Sequence, residues 1–242
     1  MTTAQFSDQF DTLVSSYLRF RDFDNKEPRD TIEFDEYEKS LYLTKAQEEY
    51  VLSLYNGKNP YGEGFEHTEE LRRYLASLVL TGRCRPIETT NGNPLGIEST
   101  SKFFTLPEDL WFITYESVYV DNAKCDKESV MDVYPVRQDE YRKIRKNPFR
   151  GANDRRALRL DLTDNIIEIV CKYNVTDYYF RYLKKLKPIV LTALPNGLAI
   201  EGVNRTTECE LHEGLHQRIL EMAVLMALQS KGYTTRNDNE NR

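Results

Sequence analysis

His212, Glu213 and His216 stand in the order H-E-x-x-H. On a helix, two histidines one turn apart share a face and bind zinc, and the glutamate between them takes a proton from the metal-bound water. The chemistry implied is metal-assisted hydrolysis, with His212 and His216 as ligands and Glu213 as base. The surroundings argue against it. No histidine follows His216, and Glu221 lies on the same helix. The other downstream carboxylates, Asp238 and Glu240, fall in a polar tail. Gly214 in the first turn also costs about 1 kcal/mol relative to alanine. The alternative is a pair of first-turn histidines making packing or partner contacts.

A second group is basic: Arg142, Lys143, Arg145, Lys146, Arg150, Arg155, Arg156 and Arg159. The span from Arg137 to Arg159 holds nine bases and three acids. Such a run binds nucleic-acid phosphate, pairs with carboxylates on a neighbouring subunit, or forms a solvated surface. Arginine suits the second role because its planar fork holds a carboxylate by two bonds. Residues 1–50 supply the opposite charge, with 12 acids against six bases. Opposite poles favour head-to-tail association.

Other chemistry is absent from the spacing. The turn Asn59, Pro60, Tyr61, Gly62, Glu63, Gly64 has no lysine in the P-loop position and follows a helix instead of a strand. No G-x-S-x-G occurs, and the three histidines suggest no triad. Cys84, Cys125, Cys171 and Cys209 lie far apart without a C-x-x-C pair, so they read as reduced thiols. Asn174 and Asn204 occupy glycosylation sequons that matter only on export, and the first residues lack the basic-then-apolar order of a secretion signal.

Four helical segments and a central β region must position these groups. Phe6, Phe10, Leu13, Val14, Tyr17 and Leu18 form one apolar stripe, ending before Asp22–Asp30. Thr44 with Gln47 spells a capping box for a helix that runs from Lys45 through Tyr50, Val51 and Leu54 to a stop at Asn56 and Gly57. Leu71, Tyr74, Leu75, Leu78 and Val79 predict a third helix stopping at Thr81 and Gly82, packed antiparallel on the second. Strands are predicted at Phe103–Phe104, Leu110–Val120, Val130–Val136, Leu158–Leu162, Ile166–Tyr173 and Tyr178–Leu186, with Pro188–Leu191 extended.

Thr89–Gly96 and Pro107–Asp109 read as turns, and Trp111 as a core anchor beneath the sheet. Alternation sends Leu158, Leu160 and Leu162 to a buried face and Arg159 and Asp161 to a charged one. Thr207 with Glu210 spells a capping box for the last helix, apolar almost all round from Ile219 to Leu228 and so in need of cover on more than one side.

The fold class expected is α+β: N-terminal helices, a central antiparallel β region and a long C-terminal helix. The expected division is a helical region 1–82, a mainly β region 83–206 with a short helix near 139–146, a helix 207–230 packing on the rest, and a flexible tail 231–242. Composition agrees. The chain has 242 residues, 40% apolar and 30% charged, which excludes disordered, collagenous and low-complexity classes. A net charge of −6 argues against a surface that is basic throughout, and no run of 18 apolar residues exists.

Several stretches resemble virion proteins of tailed bacteriophages: Tyr42–Leu75 with Leu54, Tyr55, Asn56, Gly57, Lys58, Asn59 and Pro60; Leu106–Tyr115; and Asn147, Pro148, Phe149, Arg150, Gly151 followed by Arg155, Arg156, Ala157 and Leu158. The likeness is greatest to the head-to-tail connector, or ring, proteins of crAss-like gut phages. Leu211, His216, Ile219, Ala223, Val224 and Ala227 are similar to the C-terminal helix of that group. The resemblance implies a non-enzymatic adaptor without cofactor or membrane. It would form a ring of twelve copies beneath the portal, extend the DNA channel and meet further tail or ring proteins, in the virion and during assembly in the host cytoplasm. An acidic channel wall would let DNA slide, because few phosphates are neutralised.

Overall fold

The computed structural model describes residues 1–21, 32–58, 64, 66–87, 96–121, 129–162, 165–195 and 197–233, the side chains of 19–21 excepted. Most of the turns expected at 59–64 and 89–96, and the tail beyond 233, lie outside the described residues. The chain folds into two units. Unit 1 comprises Met1–Ser77 and Leu186–Arg242, and unit 2, Leu78–Lys185, is inserted between them.

Unit 1 is helical. Helix α1 (Thr3–Arg21) buries Phe6, Phe10 and Val14 of the expected stripe, whereas Leu13 and Leu18 are half-buried and Tyr17 is exposed. Helix α2 (Glu36–Tyr55) opens earlier than Lys45, at a different capping box: Asp35 accepts from the Glu38 amide at 2.7 Å, and Glu38 reaches back to the Asp35 amide at 3.3 Å. Thr44 therefore sits inside the helix, its hydroxyl donating to Ser40 O at 2.8 Å. Nothing between Asp35 and Thr44 breaks a helix, so the upstream box prevails. The end at Asn56 and Gly57 (φ +70°) is as the sequence spells it.

The buried polar residues of α2 carry the extended segment that follows unit 2. Gln47 donates to Lys187 O (2.6 Å), while Thr44 and Ser40 accept from the amides of Ile189 (3.1 Å) and Leu191 (3.0 Å). Those backbone groups thus find partners without a sheet. Helix α3 (Glu69–Leu75), capped by Thr68, passes into a 3-10 turn at Ala76–Leu78 and ends sooner than its stripe implied.

The next helix in unit 1 spans Glu213–Ser230 and, because one short helix precedes it in unit 2, is numbered α5. Its N-cap is His212, not Thr207. Thr207 instead forms a β-bridge with Val190, and Glu210 pairs with Lys187 at 2.8 Å. With 18 residues it is shorter than the 20-residue α2. Leu215, Ile219, Leu220, Ala223, Val224, Ala227 and Leu228 are buried, and α5 packs on both α1 and α2, the two-sided cover its composition demands. Helix α2 takes α5 as its main partner in place of α3, because α5 offers the wider apolar surface. Gly232 (φ +84°) closes α5: its amide donates to Gln229 O and that of Tyr233 to Leu228 O.

Unit 2 is a seven-stranded sheet of β1 (Val79–Cys84), β2 (Lys102–Thr105), β3 (Leu110–Asp121), β4 (Ser129–Pro135), β5 (Arg156–Asp161), β6 (Ile166–Val170) and β7 (Asn174–Lys184), in the order β1-β7-β3-β4-β5-β6-β2. All pairs are antiparallel except β4–β5, which is parallel. The exception departs from the all-antiparallel expectation. The connection after β4 carries helix α4 (Tyr141–Arg145) and is long enough to cross over, whereas a hairpin turn would force antiparallel pairing.

The sheet curls until its two edges meet. The Ile87 amide, just past β1, donates to Phe103 O of β2 at 2.8 Å, and Cys84 Sγ donates to Thr105 O at 3.2 Å. The enclosed core includes Phe104, Val118, Val120, Met131, Ile169, Tyr178 and Phe180. Residues 79–82, expected at the end of a helix, are strand: a Cβ on Gly82 would fall 2.3 Å from the Phe180 ring, so the glycine admits its cross-strand aromatic. Trp111 is not a core anchor. It is the extra residue between Leu110, opposite Lys184, and Phe112, opposite Leu183. This bulge leaves it half-buried and stacked on Phe112 (centroids 5.0 Å).

Candidate functional site

The H-E-x-x-H segment does not set its two histidines on one helical face. His212 is the N-cap of α5, with extended backbone (φ −58°, ψ 139°), so it does not share a helical face with His216. Its Nδ1 accepts from the Gly214 amide at 3.1 Å and its ring leans on Tyr74. His216 is buried, with Nε2 2.9 Å from Leu211 O, while the Met1 amino group donates to its Nδ1 at 2.6 Å. Burial holds His216 below the usual imidazole range, in the neutral form. Both imidazoles thus serve structure, one as a cap and one as a packed core group. Among the described residues, no three of His, Cys, Asp or Glu converge as a metal cage.

The basic stretch separates into three groups. Arg159 is buried inside the curled sheet, where its Nη1 donates to both Glu116 carboxylate oxygens at 3.0 Å and Tyr178 donates to Glu116 Oε2 at 2.8 Å. Its Nε lies 2.9 Å from Asp161 Oδ1 without the alignment of a hydrogen bond. Burial raises the Glu116 pKa, against the lowering pull of Arg159 and Tyr178. This corrects the expectation of a charged face bearing Arg159: that side of β5 faces the interior with Ala157, and Leu158 and Leu160 lie under α4 with Tyr141. Only Asp161 reaches solvent. The strand is buried on both faces because the sheet curls inward on one side and is covered by α4 on the other.

Arg145 and Arg156 are internal fasteners. Arg145 Nε pairs with Glu98 at 2.8 Å, and Tyr141 donates to the same carboxylate oxygen at 2.9 Å. Arg156 donates to Phe149 O at 2.8 Å, and its guanidinium carbon lies 4.2 Å from the centroid of the Tyr134 ring.

The remaining five, Arg142, Lys143, Lys146, Arg150 and Arg155, are exposed and have no carboxylate partner among the described residues. They surround the turn after α4, where Asn147 Oδ1 accepts from the amides of Phe149 (2.9 Å) and Arg150 (3.2 Å) and Asn147 O accepts from Gly151 (2.7 Å). A Cβ on Gly151 would meet Asn147 O at 2.9 Å, which is why glycine closes the turn.

This turn presents Phe149 at 84% exposure. Val130 (55% exposed) and Tyr134 (44%) stand on the outer face of β4. The exposed Asp132 lies between them on that face, and Arg156 links the Tyr134 ring to the Phe149 carbonyl. Sequence reasoning passed over Val130 and Tyr134, yet the signal was there: they alternate with Met131 and Val133, which must face the core.

The family model described as phage tail ring protein 3/4 matches residues 1–239, across both units. Ring protein 3 of Bacteroides phage crAss001 is 42% identical over 240 residues, covering 98% of this chain and 99% of that protein. Ring protein 4/5 of the same phage is 28% identical over 236 residues, 94% of this chain and 92% of that one. With a family match over residues 1–239 and 42% identity to a ring protein along nearly its whole length, the chain belongs to the phage tail ring protein family, structural components of the virion.

Proposed function

We propose that this chain is a subunit of the head-to-tail connector, a ring of twelve copies that sits beneath the portal, extends the DNA channel and meets further ring or tail proteins. The carrying observation is the family match over residues 1–239 together with the 42% identity to a ring protein of a crAss phage. The distribution of charge supports the reading. Unit 1 holds 23 acids and 15 bases, whereas unit 2 holds 16 and 18. A contact between unlike surfaces closes into a ring when the rotation permits. An acidic wall from unit 1 would pass DNA without holding it.

Electron microscopy of the phage particle or of its isolated connector tests the reading. The expected result is a twelvefold ring, next to the portal, whose density fits the curled seven-stranded sheet and the α1–α2–α5 helical unit. Finding this chain away from the head-tail junction, or as single unringed copies, overturns it.

A further inference from the structure

We infer that the surface formed by Phe149, Tyr134 and Val130, with the five bases that have no carboxylate partner among the described residues, is the contact by which one copy docks on the acidic helical unit of the next. The inference rests on the ring reading and specifies which surface closes the ring.

The surface is preorganised. Phe149 stands on a turn whose amides are held by Asn147, and the Arg156 guanidinium ties its carbonyl to the Tyr134 ring. An anchor on a held backbone loses less freedom on docking, and aromatic and arginine side chains dominate interface energetics. Scattered apolar residues on a surface need no explanation. A phenylalanine 84% exposed, whose backbone is held by its turn and linked through Arg156 to a second aromatic, is a different case.

Charge selects the occupant. Other bases of unit 2 found carboxylates within the chain: Arg145 has Glu98, Arg137 has Asp139 and Arg159 has Glu116. Five bases flanking Phe149 in the chain have none among the described residues, although the chain has six more acids than bases. The surplus acid lies in unit 1. A basic surface and an acidic one are not self-complementary, so the contact between copies is heterologous, the kind that propagates around a ring. DNA fits less well as occupant, because an exposed phenylalanine interrupts the run of bases and the exposed Asp139 and Glu140 precede it.

The test uses the full chain in sedimentation velocity and negative-stain microscopy across a concentration series. It compares wild type with Phe149→Asp, Tyr134→Ala and the reversal Lys143→Glu/Lys146→Glu/Arg150→Glu. Wild type is expected to form rings whose assembly weakens as salt rises. Phe149→Asp should raise the half-assembly concentration about tenfold or more while leaving the melting midpoint unchanged. The reversal should abolish assembly at low salt. Should Phe149→Asp lower the melting midpoint, Tyr134→Ala and the reversal carry the test.

Unchanged assembly of the variants overturns the inference. So does a wild-type chain that stays monomeric at every concentration while rings are visible in the particle, an outcome that leaves the ring reading standing. Loss of duplex-DNA binding in the reversal, with self-association intact, reassigns the surface to DNA and likewise overturns the inference.

Discussion

Replacing Arg159 by methionine tests whether the curled sheet is specified by its internal ion pair. The side chains of Glu116 and Arg159 are 9% and 10% exposed, and the substitution leaves the glutamate with the Tyr178 hydroxyl alone. Removing one partner of a buried pair costs about 3–5 kcal/mol, mostly because the other charge stays behind. For a chain of this size that corresponds to a melting point lower by roughly 10 °C.

The loss should depend on pH. Burial already raises the Glu116 pKa, and the Arg159 charge that pulls it down would be gone. A carboxyl with a folded pKa above its unfolded one contributes stability that is full below the unfolded value and is lost as pH rises through the folded one. The variant should therefore be closer to wild type at about pH 5 than at about pH 8. Glu116→Met in the same chain removes the orphaned charge and should recover most of the loss.

Trp111, the single tryptophan, lies in unit 2, so its fluorescence in a denaturant series reports this unit. A loss below about 1 kcal/mol at about pH 8, an equal loss at both pH values, or a double variant as weak as the sum of the singles refutes the reasoning.

Gly82→Val places its Cβ 2.3 Å from the Phe180 ring and should destabilise unit 2 by about 1–3 kcal/mol in the same fluorescence assay. His212→Ala removes the α5 cap and should cost about 1 kcal/mol in helix melting, while chelation leaves the wild-type melting point unchanged and elemental analysis finds no stoichiometric zinc. His216, its pKa depressed by burial, contributes stability present above the unfolded value of about 6.5 and lost as pH falls through the folded one. Far-UV circular dichroism melts should show that acid sensitivity in wild type and not in His216→Gln. Asp35→Ala breaks the α2 capping box and should lower the helical melting transition by an amount equivalent to about 1 kcal/mol.

What the amino-acid order determined by itself was local. The stripe of Phe6, Phe10 and Val14, the stop at Asn56 and Gly57, the strands and the all-round apolar α5 follow from side-chain period and backbone preference, which act within one turn or one strand. The same order carried the likeness to phage ring proteins, because that likeness runs along the whole chain.

Tertiary structure decided where one local signal met another. Of the capping patterns at Asp35, Thr44 and Thr207, only the first caps a helix; Thr44 binds the segment after Lys187 and Thr207 pairs with Val190. Val79–Gly82 suit a helix by spacing, but the demand of β7 for a partner opposite Phe180 makes them strand. The H-E-x-x-H histidines were parted by one residue of helix start, and the run of bases divided into a buried ion pair, two fasteners and five charges without a carboxylate partner among the described residues. Burial, unlike periodicity, is set by contacts between residues far apart in the chain, and those contacts separate the inward Arg159 from the outward Arg155.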